Sequence, residues 1–354
     1  IYSGSFVGDG SGLTGISGGS GGNGEYVPFI TGSVSSGILP REGENFTTLG
    51  ANATIAGGRL NTGSAPCSFV GGGRSNKVCT NGQYGSVLGG QNNQVHFCHG
   101  VVAGGLNNIA TACASSILGG ADNCVQSTYS TVVSGRCNEI KQTSEYSFIG
   151  AGLSNTGSAA CSFIGAGLRN NITLQSFTSA VVTGERNTVS GSYNSAIVAG
   201  CCNLLNSVSG YYGGADGASF SIIGSGLRNE LNRTCYAAII SGLDNCLGPS
   251  AHCSFIGAGR FNTGSGNNNF IGTGCRNLID TVTSYSSILN GCCNYLRASC
   301  STIVGGYNNC LACNINGGST IAGGINNHLF GDPGFIGAGI SNKIEENHGY
   351  NSIV

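Results

Sequence analysis

From about Ala53 to the last residue, apolar and polar positions recur in one fixed order: Ser-x-Ile/Val-x-small-Gly-x-x-Asn-x-aliphatic. Numbering each copy from its last Gly gives nineteen anchors between Gly58 and Gly339, spaced 12 to 18 residues apart. Eighteen copies carry Asn at +3. The exception is the copy anchored at Gly214, where Gly217 stands in place of Asn and Tyr211 in place of the Ile or Val at −3. Such a unit is too short for a helix pair or a propeller blade, but it holds two short strands and two turns, one coil of a β-solenoid. A central Gly among Ile, Val, Ser, Thr and Asn also disfavours helix. The pattern predicts a first strand over −5 to −1, as in Ser147–Ala151. A tight turn follows at the anchor and the next two residues. A second strand then starts near the Asn and carries the aliphatic at +5, as in Val78, Val95, Val125, Ile140, Ile172, Val189, Leu231 and Ile344. Length varies between the second strand and the next Ser, so loops belong at that corner. Tyr350–Val354 reads as the first strand of a twentieth copy.

Side chains alternate along a strand, so −5, −3 and −1 share one face and −4 and −2 the other. Ile or Val at −3 between small neighbours marks the inside of a narrow coil. On the other face, seven copies pair Gly at −2 with bulk at −4: Phe69, Phe148, Phe163, Ile222, Phe255, Phe270 and Phe335. In most other copies the bulk moves to −2, as in Leu88, Leu118 and Ile240. Trading volume between two positions is expected of a packed face, because overfilling it or leaving a cavity costs roughly 1 to 5 kcal/mol. These ten residues are therefore expected to pack against other chains. The fold expected is all-β, a parallel β-solenoid of about 15–16 residues per coil with 19–20 coils. Several such rods, preferably three, would lie side by side around an axis; a monomeric solenoid with a wider core is the alternative. At about 4.8 Å per coil the rod would be roughly 90 Å long. Residues 1–50 form a Gly/Ser-rich lead-in and 51–354 the repeat array.

Composition narrows the function. Of 354 residues 64 are Gly, only 8% are charged, and the net charge is −1. Five prolines and no triplet period exclude collagen. Low net charge and the lack of a long apolar run argue against nucleic acid and membrane as partners. The absence of Met and the start at Ile1 read as a processed or partial chain.

Eighteen cysteines suggest disulfides. Most lie at coil corners, and equivalent positions in successive coils are close enough to bridge. The best candidates are Cys98 with Cys113, Cys235 with Cys253, and Cys275 with Cys292; Cys124 with Cys137 is weaker, and reduced thiols acting as small hydrophobes are the alternative. Cys310-Leu311-Ala312-Cys313 has redox spacing without a βαβ context and reads as a structural loop. His96-Phe97-Cys98-His99 offers metal ligands but lacks a second cluster. Gly8-Asp9-Gly10-Ser11-Gly12 looks like a phosphate loop with no strand–helix unit after it. No metal or cofactor is expected. Asn45, Asn52, Asn171 and Asn232 head glycosylation sequons.

The blocks typified by Ser162-Phe163-Ile164-Gly165-Ala166-Gly167-Leu168-Arg169-Asn170 resemble the β-roll repeats in the heads of trimeric autotransporter adhesins, and are similar to repeats of viral and phage fibres. Phe6–Ile16 resembles a segment found near the start of phage tail-fibre repeats. The resemblance implies a left-handed coil, a homotrimer and display on a cell or virion surface. The chain departs from the adhesin pattern in its longer, more variable coil and in its cysteines.

The expected function is that of a structural fibre or adhesin, a stiff rod that attaches to a surface receptor such as a glycan, and is not an enzyme. A polysaccharide depolymerase is the alternative and needs paired carboxylates, for which Glu345-Glu346 is the only adjacent pair. An ice-binding solenoid would need a Thr ladder, and no Thr-x-Thr column recurs.

Overall fold

The computed structural model describes residues 29–31, 38–40, 50–206, 220–312, 318–331, 333–345 and 351–354. Phe6–Ile16, Asn45, the copy at Gly214, Cys313 and Glu346 lie outside them. The described chain is all-β and coils as a parallel solenoid. Residues at −4 and −3 form one parallel ladder, from Thr54–Ile55 through Phe163–Ile164 to Phe335–Ile336. Residues at +4 and +5 form a second, from Thr62–Gly63 to Lys343–Ile344. The second strand therefore begins after the Asn, one position later than the pattern predicts. The turn between the strands also contains a third parallel ladder, one residue wide at +1, running in seventeen steps from Arg59 to Ile340. The cross-section is thus three-sided. At about 4.8 Å per step these seventeen steps, which join eighteen turns, span roughly 80 Å. The expected twentieth strand is present, since Asn351–Ile353 pairs with Gly334–Ile336. At the other end Phe29–Thr31 pairs antiparallel with Ile38–Pro40, and Ile38 stands in register with Thr54.

The turns anchored at Gly200 and Gly226 pair with each other directly. Ala196–Ile197 pairs directly with Ile222–Ile223, Leu204–Asn206 with Glu230–Asn232, and Cys201 with Leu227.

The Asn residues at +3 form a buried column that joins the described turns. Asn170 is fully buried, and its Nδ2 donates to Ala166 O (3.1 Å) in its own turn and to Gly184 O (2.9 Å) in the next, while its Oδ1 accepts Asn187 N–H (3.0 Å). Asn155 and Asn187 repeat the scheme on either side. A buried amide with both donors and its acceptor engaged ties each turn to the next; left unpaired, its groups would cost about 1–3 kcal/mol each. A second polar column lies at −5, where Ser130 and Ser147 Oγ accept the N–H of Ser147 and Ser162.

Between these columns, Ile or Val at −3 and the aliphatics at +5, including all eight named from the sequence, form one continuous core. Each such side chain contributes roughly 1.5–3 kcal/mol by burial. The anchors sit at φ between 82° and 114°, where only Gly is comfortable. Non-Gly residues fill the left-handed positions at +2, such as Asn92, Asp122 and Arg169, and at −6, such as Tyr84 and Cys161. This conformation costs most side chains about 1 kcal/mol and suits Asn and Asp best.

Candidate functional site

The first sheet turns −3 inward and −4 and −2 outward, as the alternation predicts. Phe163, Ile222, Phe270 and Phe335 at −4, and Leu88, Leu118 and Ile240 at −2, are exposed on a single chain, as is Phe69. Phe148 and Phe255 are half-buried because each stacks on the next turn's ring, Phe148 on Phe163 (5.5 Å between centroids) and Phe255 on Phe270 (5.4 Å).

The volume trade has a cause within the chain. A Cβ built on Gly71, Gly150, Gly165, Gly257 or Gly272 would lie 3.3, 3.4, 3.4, 3.4 and 3.2 Å from Cε1 of the Phe two residues earlier, and 2.4, 2.4, 2.3, 2.4 and 2.4 Å from a carbonyl of the next turn. The Phe ring therefore lies along its own strand, over the Gly. A second chain is not needed to explain why bulk occupies one position or the other.

The face has a further property that the sequence reading did not single out. Across the eighteen described turns, neither −4 nor −2 carries a charged residue. Every charged side chain of the described solenoid lies on the second sheet, on the +1/+2 edge or in the loops. Segregation by side is invisible in a net charge and appears only when the turns are stacked.

The cysteines sort by register. No disulfide joins any two of the seventeen described ones. Cys98 and Cys113 both occupy −7 in successive turns and bring their Sγ atoms to 2.6 Å; contact with Cys98 and burial raise the Cys113 thiol pKa. Cys275 and Cys292 both occupy +1 and pair in the third ladder, with Cys293 Sγ 3.4 Å from Cys292 Sγ. The Cys293 thiol, burial and then Cys275 push Cys292 up to about 11. Cys235 and Cys253 are not brought together: Cys253 N–H donates to Cys235 O (3.0 Å), yet Cys235 at −7 is buried while Cys253 at −6 is exposed. Cys124 at +4 and Cys137 at +2 lie on different sides. Mild oxidation is therefore expected to link Cys98 to Cys113 and leave Cys235 and Cys253 unlinked, as peptide mapping by mass spectrometry would show. The 15-residue loop closed would add up to about 3 kcal/mol.

The remaining candidates are dispersed. His96 Nε2 lies 3.0 Å from Gln94 Oε1, with its pKa lowered by burial and by Lys77, whereas His99 stacks on Tyr84 at the neighbouring corner. No cluster of three metal-ligating side chains occurs among the described residues. Cys310 stands on the second sheet. Asn52 is exposed and Asn171 and Asn232 half-buried. Glu345 pairs with Lys343. The sequence reading passed over His252, which is buried and accepts Cys235 N–H at Nδ1 (3.0 Å), and whose pKa is lowered by burial. It also passed over the exposed aromatic corner at −6, where Tyr129 stacks on Tyr146 (5.2 Å) and Phe220 on Tyr236 (5.4 Å). A groove of about 620 Å³ lies where long loops flank a short turn and is lined by Gln126, Lys141, Gln142, Ser158, Asn171 and Thr173 among others. Compared with known proteins, the chain matches no family model and no curated protein.

Proposed function

We propose that this chain is the rod of a self-associating structural fibre, a homotrimer joined through the first sheet, which projects from a cell or virion surface and attaches to a receptor on its outer edges. The observation that carries the reading is the uncharged outward face of that sheet. A solvated surface of this length normally mixes charge into every side, whereas the centre of a protein interface is depleted of it. A strip roughly 80 Å long and about 10 Å wide offers on the order of 800 Å² per partner, the area of a standard specific interface. The likeness of the repeats to adhesin heads and viral fibres supports three chains and surface display. Attachment fits a rod whose charged and aromatic edges stay outside such an interface.

Sedimentation equilibrium of the intact chain tests the assembly. A trimer is expected. The double variant Leu118→Glu/Ile240→Glu, which would bury carboxylates at the joint, is expected to weaken association by about 100-fold or more. Leu106→Glu/Leu153→Glu, on the +1 edge, is expected to leave it intact. A monomer at tens of micromolar, or equal losses from both pairs, would overturn the reading.

A further inference from the structure

Eight of the thirteen lysines and arginines in the described solenoid fall at +1 or +2, and all eight are arginines: Arg59, Arg74, Arg136, Arg169, Arg186, Arg228, Arg260 and Arg276. The three lysines lie elsewhere, Lys77 and Lys343 on the second sheet and Lys141 just after one of its strands. Stacking turns residues more than 200 positions apart into a single row, spaced by whole steps of about 4.8 Å over roughly 60 Å. All eight are exposed. Only three carboxylates share the edge: Asp122 pairs with Arg136 (3.3 Å), Glu185 with Arg186 (3.3 Å) and Asp244 with Arg228 (2.7 Å). The edge keeps a formal charge of +5, although the whole chain carries −1.

A second observation shows that the backbone did not select these residues. Arg169, Arg186, Arg228 and Arg276 stand at φ between 52° and 54°, a conformation that Asn92, Asn107, Asn308 and Asn326 adopt at the same position with less strain. Backbone preference therefore does not account for Arg at +2. Arginine differs from lysine in presenting a planar fork that matches sulfate and carboxylate oxygens two at a time. Exposed ion pairs such as the three on this edge are weak and exchange readily for a denser anion. Leu106, Leu153 and Leu227 at +1 are exposed in the same row and offer apolar contact to the C–H faces of sugar rings.

We infer that the +1/+2 edge is a docking surface for a linear sulfated polysaccharide lying along the rod axis. The inference deepens the attachment reading above by naming the receptor's chemistry and the edge that meets it. A linear chain fits because the cations form one row. A duplex nucleic acid would match a broad basic face better than a single narrow edge.

Immobilised heparin is the probe, with chemically desulfated heparin and duplex DNA beside it, and the full chain as analyte. Binding to heparin is expected to fall steeply with added salt and to be lost on desulfation. Arg169→Gln/Arg260→Gln/Arg276→Gln is expected to weaken it by about 10- to 100-fold, whereas Lys77→Gln/Lys141→Gln/Lys343→Gln, with the same change in charge, costs about 3-fold at most. Thermal melting and light scattering confirm that both variants keep the fold and the assembly state of the unaltered chain. No binding at physiological salt, equal losses from the two variants, undiminished binding without sulfate, or tighter binding to DNA would each overturn the inference. A monomeric rod that still binds heparin through these arginines would sink only the trimer.

Discussion

Asn170→Ala is expected to cost about 3–5 kcal/mol and to open the stack locally. The side chain is fully buried and makes three hydrogen bonds. Truncation leaves Asn187 N–H and Ala166 O inside the rod without their partner, while Gly184 O keeps the Leu168 N–H bond (2.9 Å). Because each turn of a solenoid touches only its neighbours, the loss should concentrate between the turns anchored at Gly167 and Gly184, and not appear as one global transition. Hydrogen exchange should show protection falling first at Leu168 and Asn187; uniform loss along the rod would contradict this account. Asn170→Asp gives a sharper sign. It keeps the shape and the acceptor, but turns a carboxylate oxygen toward two carbonyls, so the folded-state pKa of the new group rises above its unfolded value. The variant should therefore gain stability as pH falls through that raised pKa, and remain destabilised at neutral pH.

Gly184→Ala should be comparably severe, at about 3 kcal/mol or more, for a different reason. At φ 111° an added Cβ would lie 2.2 Å from Gly200 O and 2.5 Å from Asn187 Nδ2. One is the backbone of the next turn and the other a buried amide already engaged, so neither can retreat without breaking the ladder. Gly119→Ala is the control. It lies one residue before the anchor Gly120, and a Cβ there meets nothing within 4 Å. Its melting temperature should shift little or rise slightly, since Ala reduces the freedom of the unfolded chain. Equal losses in the two variants would mean that the anchor glycines are not fixed by the approach of the next turn.

The two predictions concern the residues that made the fold legible. Gly at the anchor and Asn at +3 recur because the geometry of every described turn needs them. Other features were less legible for equally physical reasons. Cys235 and Cys253 differ by one position in register, and one residue is enough to turn a side chain from inside to outside. Phe at −4 over Gly at −2 arises from packing within one strand, although packing between chains would leave the same trace in the sequence. The third ladder at +1 was hidden because its single paired residue follows a Gly and reads as a turn.

Periodicity alone determined the parallel coil, the inward face of the first strand and the buried +5 aliphatics, since each of these depends on spacing within a single repeat. Tertiary structure decided the rest: which thiols meet, the side left without charge, and the gathering of eight scattered arginines into one row. Those properties depend on what lies beside a residue one turn away, and that neighbour is set by stacking, not by distance along the chain.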